Sequence, residues 1–303
     1  MNMARMPAKS SGLWQAEGKK FKEVFIPPAV IGDLNQISAI CRKTRVDRIL
    51  VALDERRGKL PFEQLLSCRL GGIRVDEGIA FTEQLCGKLS VEDLQPSALI
   101  FCDGFKRSFL VKKIKRWMDL SFSLAGLIIL SPLCLATGLA IKLESRGPVF
   151  YRQERVGQNG VTFNLLKFRS MRVDAEENGP VWASENDGRI TRVGRIIRKL
   201  HLDEIPQMIN VLRGEMSFVG PRPERPYFVD ALQKEIPFYS HRHTVKPGIT
   251  GWAQIYYPYG ASKEDALEKL KYDLYYLKHM SPLLDLMIIL KTTKIVLLGK
   301  GSR

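Results

Sequence analysis

Apolar residues are spread very unevenly along this chain. From Leu120 to Ile141 they form an uncharged run, LSFSLAGLIILSPLCLATGLAI. That is about the ~20 residues a helix needs to cross the hydrocarbon core of a bilayer. Ser131-Pro132 falls in the middle of it. Proline has no N–H to give, and its ring crowds the carbonyl four residues back, here Ile128, so the pattern predicts a kink or break. The Ser131 hydroxyl is placed to cap a carbonyl freed in this way. Lys112, Lys113, Lys115 and Arg116 precede the run, and Lys142 and Arg146 follow it. Positive flanks favour the cytoplasmic side. The expectation is a re-entrant helix-hairpin over about 117–143 that enters the membrane, turns at Ser131-Pro132 and leaves by the same face. The competing reading is one kinked span with its two flanks on opposite sides.

Before this run the pattern alternates between short β-type and helical stretches. EVFIP and DRILVAL (47–53) read as strands, Ile31 to Cys41 and Pro61 to Leu70 as helices, and Gly71-Gly72 as a stop before the strand IRV. Phe81 to Leu89 has helical spacing, and SALIFCDGF (97–105) ends in a strand. Alternation of this kind predicts a small parallel α/β layer over 21–105, a partial Rossmann-like domain. It carries no GxGxxG, so a dinucleotide site has no support. Residues 1–20 are polar and basic and read as a disordered tail without the apolar core of a secretory signal.

After the run the pattern becomes mixed, and 106–303 reads as one membrane-associated domain. Asn159-Gly160 between two β-rich arms predicts a hairpin. Arg152, Arg155, Lys167 and Arg169 decorate its arms, and the two-residue spacing of Lys167 and Arg169 predicts a shared face. Residues 174–188 read as an acidic surface loop. Arg189, Arg192, Arg195 and Arg198 recur every third residue, a basic stripe suited to anionic lipid headgroups. Residues 262–279 form a charged amphipathic pattern containing Tyr272, Tyr275 and Tyr276, and 281–301 reads as a helix lying in the membrane interface. The fold class expected is α+β: the re-entrant hairpin, a small mostly helical domain with a β-hairpin and interfacial helices, and the partial α/β domain.

Charge narrows the partners. The 303 residues carry a net charge of +15, which calls for an anionic partner. The apolar run selects a membrane surface, and the arginine stripe lacks the interleaved aromatics that nucleic acid binding uses. Five scattered cysteines without a CxxC pair argue against a zinc site or a disulfide framework. His241 and His243 have no third ligand at metal-binding spacing.

The candidate chemistry lies in LHLDEIPQMINVLRGEMSFVGPRPERP (200–226). Pro206 is tolerated only in a first helical turn, which puts the adjacent carboxylates Asp203 and Glu204 at a helix N-terminus. Two readings stay open on the residues alone: acidic capping of that helix, or a Mg²⁺ and phosphate site. Gly220-Pro221-Arg222-Pro223 is a rigid turn able to aim Arg222 at a phosphate.

The segments KRWMDLSFSLAGLIILSPL, RVGQNGVTFNLLKFRSM, RKLHLDEIPQMINVLRGEMSFVGPRPERP and VKPGITGWAQI together resemble the monotopic polyprenyl-phosphate phosphoglycosyl transferases, the bacterial sugar transferases. The resemblance covers about residues 112–301, with the 21–105 region similar to the tail of the α/β domain in long-form members. It implies transfer of a sugar-1-phosphate from a UDP-sugar to a polyprenyl (undecaprenyl) phosphate, with release of UMP. This would initiate surface glycan or exopolysaccharide synthesis at the cytoplasmic face of a bacterial inner membrane. It further implies Asp203 as the nucleophile of a covalent phosphosugar-aspartyl intermediate and Glu204 as the Mg²⁺ ligand. Arg222 and Arg198 would serve the anionic site, with Lys167, Arg169, Gln207 and Lys246 as neighbours. The partners implied are a UDP-sugar, a polyprenyl phosphate and anionic lipids, with a homodimer as a further option. A catalytically silent scaffold that binds a sugar nucleotide is the alternative, disfavoured by the intact Asp203-Glu204 pair.

Overall fold

The structure is a computed structural model. It describes residues 32–33, 36–52, 60–91, 105, 108–175, 187–257, 260 and 262–297. The expected tail over 1–20, EVFIP, most of SALIFCDGF and much of the acidic loop lie outside these residues. The chain divides into two compact units, Met1–Asp76 and Glu77–Arg303.

In the first unit, helix α1 (Ile37–Thr44) packs on α2 (Phe62–Leu70) and buries Cys41, Leu65 and Cys68. Strand β1 (Arg48–Val51) pairs with β2 (Arg74–Glu77), making a two-stranded sheet among the described residues. These match the helical and strand patterns over 37–41, 48–51, 62–70 and 74–75.

The helix expected from Phe81 starts earlier, as α3 (Gly78–Cys86), and it belongs to the second unit. The division falls at Asp76/Glu77 rather than near residue 105 because α3 and the residues after it find partners further along the chain. Glu83 is buried and receives Lys278 Nζ at 2.7 Å, with His279 Nε2 at 2.8 Å. Trp252 Nε1 donates to the Gly87 carbonyl at 2.7 Å, and Leu89 N donates to Lys271 O at 3.1 Å. Leu89 and Val91 join a core cluster with Val156, Val229, Ile236, Tyr239, Leu270 and Leu274.

The long apolar run becomes α4 (Phe109–Glu144), one helix of 36 residues that continues through Pro132. The expected helix-hairpin with its turn at Ser131-Pro132 is therefore not formed, and the run is one continuous helix. The carbonyl of Ile128, which Pro132 cannot satisfy, instead accepts from Ser131 Oγ at 2.8 Å. Buried Asp119, Ser123, Thr137 and Ile141 and half-buried Gly126, Leu130 and Cys134 form a single stripe at helical spacing on both sides of the proline. Ile129, Leu135 and Leu139, off that stripe, are 74%, 77% and 62% exposed.

Two small sheets and six further helices complete the described part of this unit. Strands β3 (Phe150–Val156) and β4 (Thr162–Phe168) pair antiparallel from Phe150↔Phe168 to Val156↔Thr162. Asn159 and Gly160 at the tip take φ of 56° and 79°, the left-handed pair that a tight hairpin needs. After α5 (Arg192–Lys199) and α6 (Gln207–Arg213), β5 (Ser217–Val219) pairs in parallel with β6 (Gly248–Thr250). Helices α7 (Pro226–Glu235), α8 (Trp252–Tyr256), α9 (Lys263–His279) and α10 (Pro282–Leu297) close the unit. A reciprocal Ser262/Asp265 capping box starts α9, which buries Leu270, Tyr272, Leu274, Tyr276 and Leu277. Arg189 lies ahead of α5 and pairs with Asp187 at 2.5 Å, so the helical basic stripe is Arg192, Arg195 and Arg198 only.

Candidate active site

His201 adopts a left-handed conformation (φ 56°), which ends α5 and turns the chain into a single 3-10 turn, Leu202–Glu204. Pro206 follows as the N-cap of α6. The acidic pair thus sits in the turn ahead of the helix rather than on it. Asp203 is buried and Glu204 is half-buried.

Glu204 is gripped by two cations from separate elements. Lys167 Nζ on β4 donates to Oε1 at 2.9 Å, and Arg222 Nη2 donates to the same oxygen at 2.5 Å. Burial alone would raise the Glu204 pKa. The Arg222 and Lys167 charges outweigh it and hold the carboxyl well below the usual carboxylate range. For Asp203 the balance goes the other way. Burial, aided by the adjacent Glu204 charge, pushes it above the ordinary aspartate value despite Lys167, Arg198 and Arg222. Two neighbouring carboxylates are therefore held apart: one firmly ionised and cation-bound, the other less acidic.

A small cleft of about 10 Å³ beside the pair is lined by Arg155, Leu165, Lys167, Gln207, Arg222 and Pro223, the two cations that hold Glu204 among them. Tyr151, Gln153 and Arg155 of β3 share a face with Phe163, Leu165 and Lys167 of β4. The Arg155 guanidinium donates to Gln153 Oε1 at 3.0 Å through Nε and to the Pro223 carbonyl at 2.9 Å through Nη1. It belongs to the cleft as fully as Lys167, although the sequence places it only among the hairpin's cations. The alternation that puts it opposite Phe163 is the signal for it.

The turn bearing Arg222 is fixed from behind. Arg242, buried, donates to Asp273 Oδ2 at 3.0 Å, to Tyr239 OH at 2.8 Å and to the Arg222 carbonyl at 3.0 Å. Gly220 N donates to Thr250 O, and Gly248 N to Pro221 O, both at 2.9 Å. A Cβ at Gly248 would come within 2.1 Å of Gly220 N, so glycine is required where these segments cross. On the other side Asn210, fully buried, ties α6 to the hairpin. Its Oδ1 accepts from Leu166 N at 3.0 Å and its Nδ2 donates to Asn164 O at 2.8 Å.

Two expected neighbours lie elsewhere. Arg169 is one residue past the end of β4, where its N still donates to the Val149 carbonyl at 2.9 Å. Its guanidinium is buried and donates to the Arg146 and Ser145 carbonyls and to Ser145 Oγ at 2.8–2.9 Å. It clamps the end of α4 and does not line the cleft. Lys246 sits beside Gly214, where burial and the nearby Arg116 charge lower its pKa.

The basic approach to the apolar run is also partly internal rather than a belt at the lipid surface. Lys115 Nζ reaches Asp285 Oδ2 at 2.7 Å, Val219 O at 2.9 Å and Tyr276 OH at 3.1 Å. Arg116 caps the end of α6 through the Val211 and Leu212 carbonyls at 2.7 and 2.9 Å. Asp119 Oδ1 accepts from Ser217 Oγ and Phe218 N. At the far end, Glu144 accepts from Arg192 N at 2.7 Å at the start of α5.

The sequence that builds this arrangement matches known proteins. The profile of the bacterial sugar transferase family covers residues 110–299, well over half of the chain. The chain belongs to the bacterial sugar transferase family. It is 44% identical over 239 residues to a UDP-N-acetylgalactosamine-undecaprenyl-phosphate N-acetylgalactosaminephosphotransferase of Aeromonas hydrophila, covering 79% of this chain and 56% of that protein. It is 38% identical over 272 residues to an undecaprenyl-phosphate glucose phosphotransferase of Komagataeibacter xylinus, covering 87% of this chain and 51% of that one. It is also 40% identical over 195 residues to the exopolysaccharide production protein PSS of Rhizobium leguminosarum bv. phaseoli, covering 62% of this chain and 98% of that protein. The chain thus spans about half the length of the first two relatives.

Proposed function

We propose that this sugar transferase moves a hexose-1-phosphate from a UDP-sugar to undecaprenyl phosphate, releasing UMP, in two displacements at Asp203. The observation that carries the reading is the split pair: Asp203 buried and less acidic, and Glu204 ionised under Lys167 and Arg222. The Asp203 carboxylate attacks the sugar-bearing β-phosphorus, and the bond from that phosphorus to the bridging oxygen breaks, so UMP leaves with the electron pair. An oxygen of the lipid phosphate then attacks the same phosphorus and frees the aspartate. A carboxylate nucleophile divides one difficult displacement into two easier ones. Lys167, Arg198, Arg222 and Arg155 surround the position with positive charge, as transfer of an anionic phosphoryl group requires.

The donor set also suits Mg²⁺. Both cations bind Glu204 through Oε1, which leaves Oε2 for a metal, and Mg²⁺ takes one or two carboxylates with phosphate oxygens. Bound there, it would neutralise the diphosphate and the departing UMP.

For the membrane, we retain from the re-entrant expectation only that both flanks of the apolar run lie on one side, since α4 runs on through Pro132 without a hairpin turn. Lys115, Arg116 and Asp119 before the apolar run and Ile141 and Glu144 after it all contact the same compact unit. A body with this many charged groups cannot hold both flanks from opposite faces of a bilayer. The apolar face left bare on α4, with Leu283 and Leu290 of α10, suits lipid contact. This arrangement brings a lipid phosphate and a soluble UDP-sugar to one site at the cytoplasmic face.

The test is UMP release by the full chain in detergent with Mg²⁺ and undecaprenyl phosphate, offered UDP-N-acetylgalactosamine or UDP-glucose. Turnover with one of them, abolished by Asp203→Asn, is expected. Turnover at the wild-type rate in Asp203→Asn would overturn the role of that carboxylate. Sugar-nucleotide binding without any turnover would favour the silent scaffold.

A further inference from the structure

A second, roomier cleft shares no lining residue with the charged one. It lies between the hairpin tip (Val156, Asn159, Gly160, Thr162), α7 (Pro226, Val229, Asp230, Gln233) and the 3-10 turn around Ser240, His243 and Thr244. Its volume is about 360 Å³, within the ~300–1,000 Å³ range of small-molecule sites. Val156 and Thr162 are register partners on the hairpin face opposite Arg155 and Lys167, so the two clefts flank one hairpin.

The lining chemistry is the reverse of the catalytic cleft. No lysine or arginine is among the described residues that line it, in a chain of net charge +15. Asp230 supplies a carboxylate, which disfavours a phosphate-bearing occupant. Asn159, Thr162 and Ser240 supply neutral donors and acceptors, beside Gln233, whose Nε2 donates to Asp230 Oδ1 at 3.4 Å, and Thr244, whose hydroxyl donates to the His241 carbonyl at 2.9 Å. Burial against Tyr239 and the Arg242 charge push the His243 pKa down to about 4, so its ring stays neutral and offers both a donor and an acceptor. Pro226 with Val156 and Val229 forms an apolar patch. Asp230 is the single carboxylate among the lining residues and has no phosphate oxygens beside it to complete a Mg²⁺ shell, and among the described residues no cluster of three metal-ligating side chains exists. What remains is a ligand rich in hydroxyls, uncharged, with one C–H face. We infer that this cleft is an accessory site for a neutral saccharide, separate from the charged cleft. Its floor is tied to the catalytic loop, because Val156 N donates to the Glu224 carbonyl at 2.9 Å two residues beyond Arg222.

The inference is tested by saturation-transfer NMR on the full chain in detergent, with unphosphorylated glucose, N-acetylgalactosamine and a disaccharide as probes and uridine as a control. Transfer to saccharide ring protons is expected. It should fall about tenfold or more in the double variant Asp230→Ala/Gln233→Ala and persist in Asp203→Asn and in excess UMP. Ser240→Trp, which fills an exposed wall, should abolish it and serves if the double variant unfolds. The site is refuted if no saccharide shows transfer or if transfer survives both variants. Displacement by UMP would assign the signal to the catalytic cleft, and stronger transfer to uridine than to any saccharide would contradict the ligand class.

Discussion

At the scale of single residues, the site turns on how two adjacent carboxylates are treated differently. Asp203→Asn should lower UMP release by about 10³-fold or more, because the amide cannot form the intermediate. Lys167→Met should cost about 10²-fold in kcat with a smaller change in KM, since its charge is needed most as the phosphoryl group transfers. The pH profile follows from the Asp203 shift. Its pKa is raised above the ordinary 3.8, so kcat/KM should fall on the acid side with a midpoint above 3.8, as protonation removes the nucleophile. An acid limb at or below that value would show that burial does not tune this group. Pro206 and the Gly-Pro-Arg-Pro turn restrict the backbone around Asp203, Glu204 and Arg222, but on the residues alone acidic capping and a phosphate site stay open, and the roles proposed for them come from the family resemblance. Arg169 is drawn away from the cleft by the Ser145 and Arg146 carbonyls, acceptors that the spacing of Lys167 and Arg169 does not reveal. Lys115 and Arg116 misled because a charge at a membrane flank reads the same whether it faces lipid or tethers the helix.

At the scale of elements, the turn that carries Arg222 depends on a buried pair behind it. Arg242 holds Asp273 and the carbonyl of Arg222 at once. Removing one partner strands the other, so Asp273→Asn should destabilise the protein by about 3–5 kcal/mol, measured by denaturant unfolding in detergent. Arg242→Met with Asp273→Leu should recover part of that loss and leave turnover impaired, because the Arg222 turn is then unsupported. This pair could not be read from the sequence, since its members lie 31 residues apart with no motif joining them. The hairpin was readable from Asn159-Gly160, and α9 from its amphipathic charge pattern. Helix α4 was readable in extent but not in continuity. Hydropathy and proline announce a disturbance at Ser131-Pro132, while the hydrogen bond from Ser131 Oγ to Ile128 O keeps the helix going.

At the scale of the whole molecule, the proposed reaction joins a soluble donor and a lipid acceptor at one cleft, which requires both flanks of the apolar run on the same side. In a background without the native cysteines, Lys112→Cys and Arg146→Cys should both label from the cytoplasmic side, and labelling from opposite sides would sink the one-sided reading. The boundary between the two units was not legible, because strand–helix alternation runs on past Asp76 while Glu83, Leu89 and Val91 are claimed by α9. The central claim is the covalent step at Asp203. Intact-mass analysis of the full chain with Mg²⁺ and the accepted UDP-sugar, without lipid acceptor, tests it most directly. One phosphosugar adduct per chain, mapped to the peptide containing Asp203 and discharged by undecaprenyl phosphate, is the predicted result. Full turnover with no trappable adduct, or an adduct on any other residue, would contradict it.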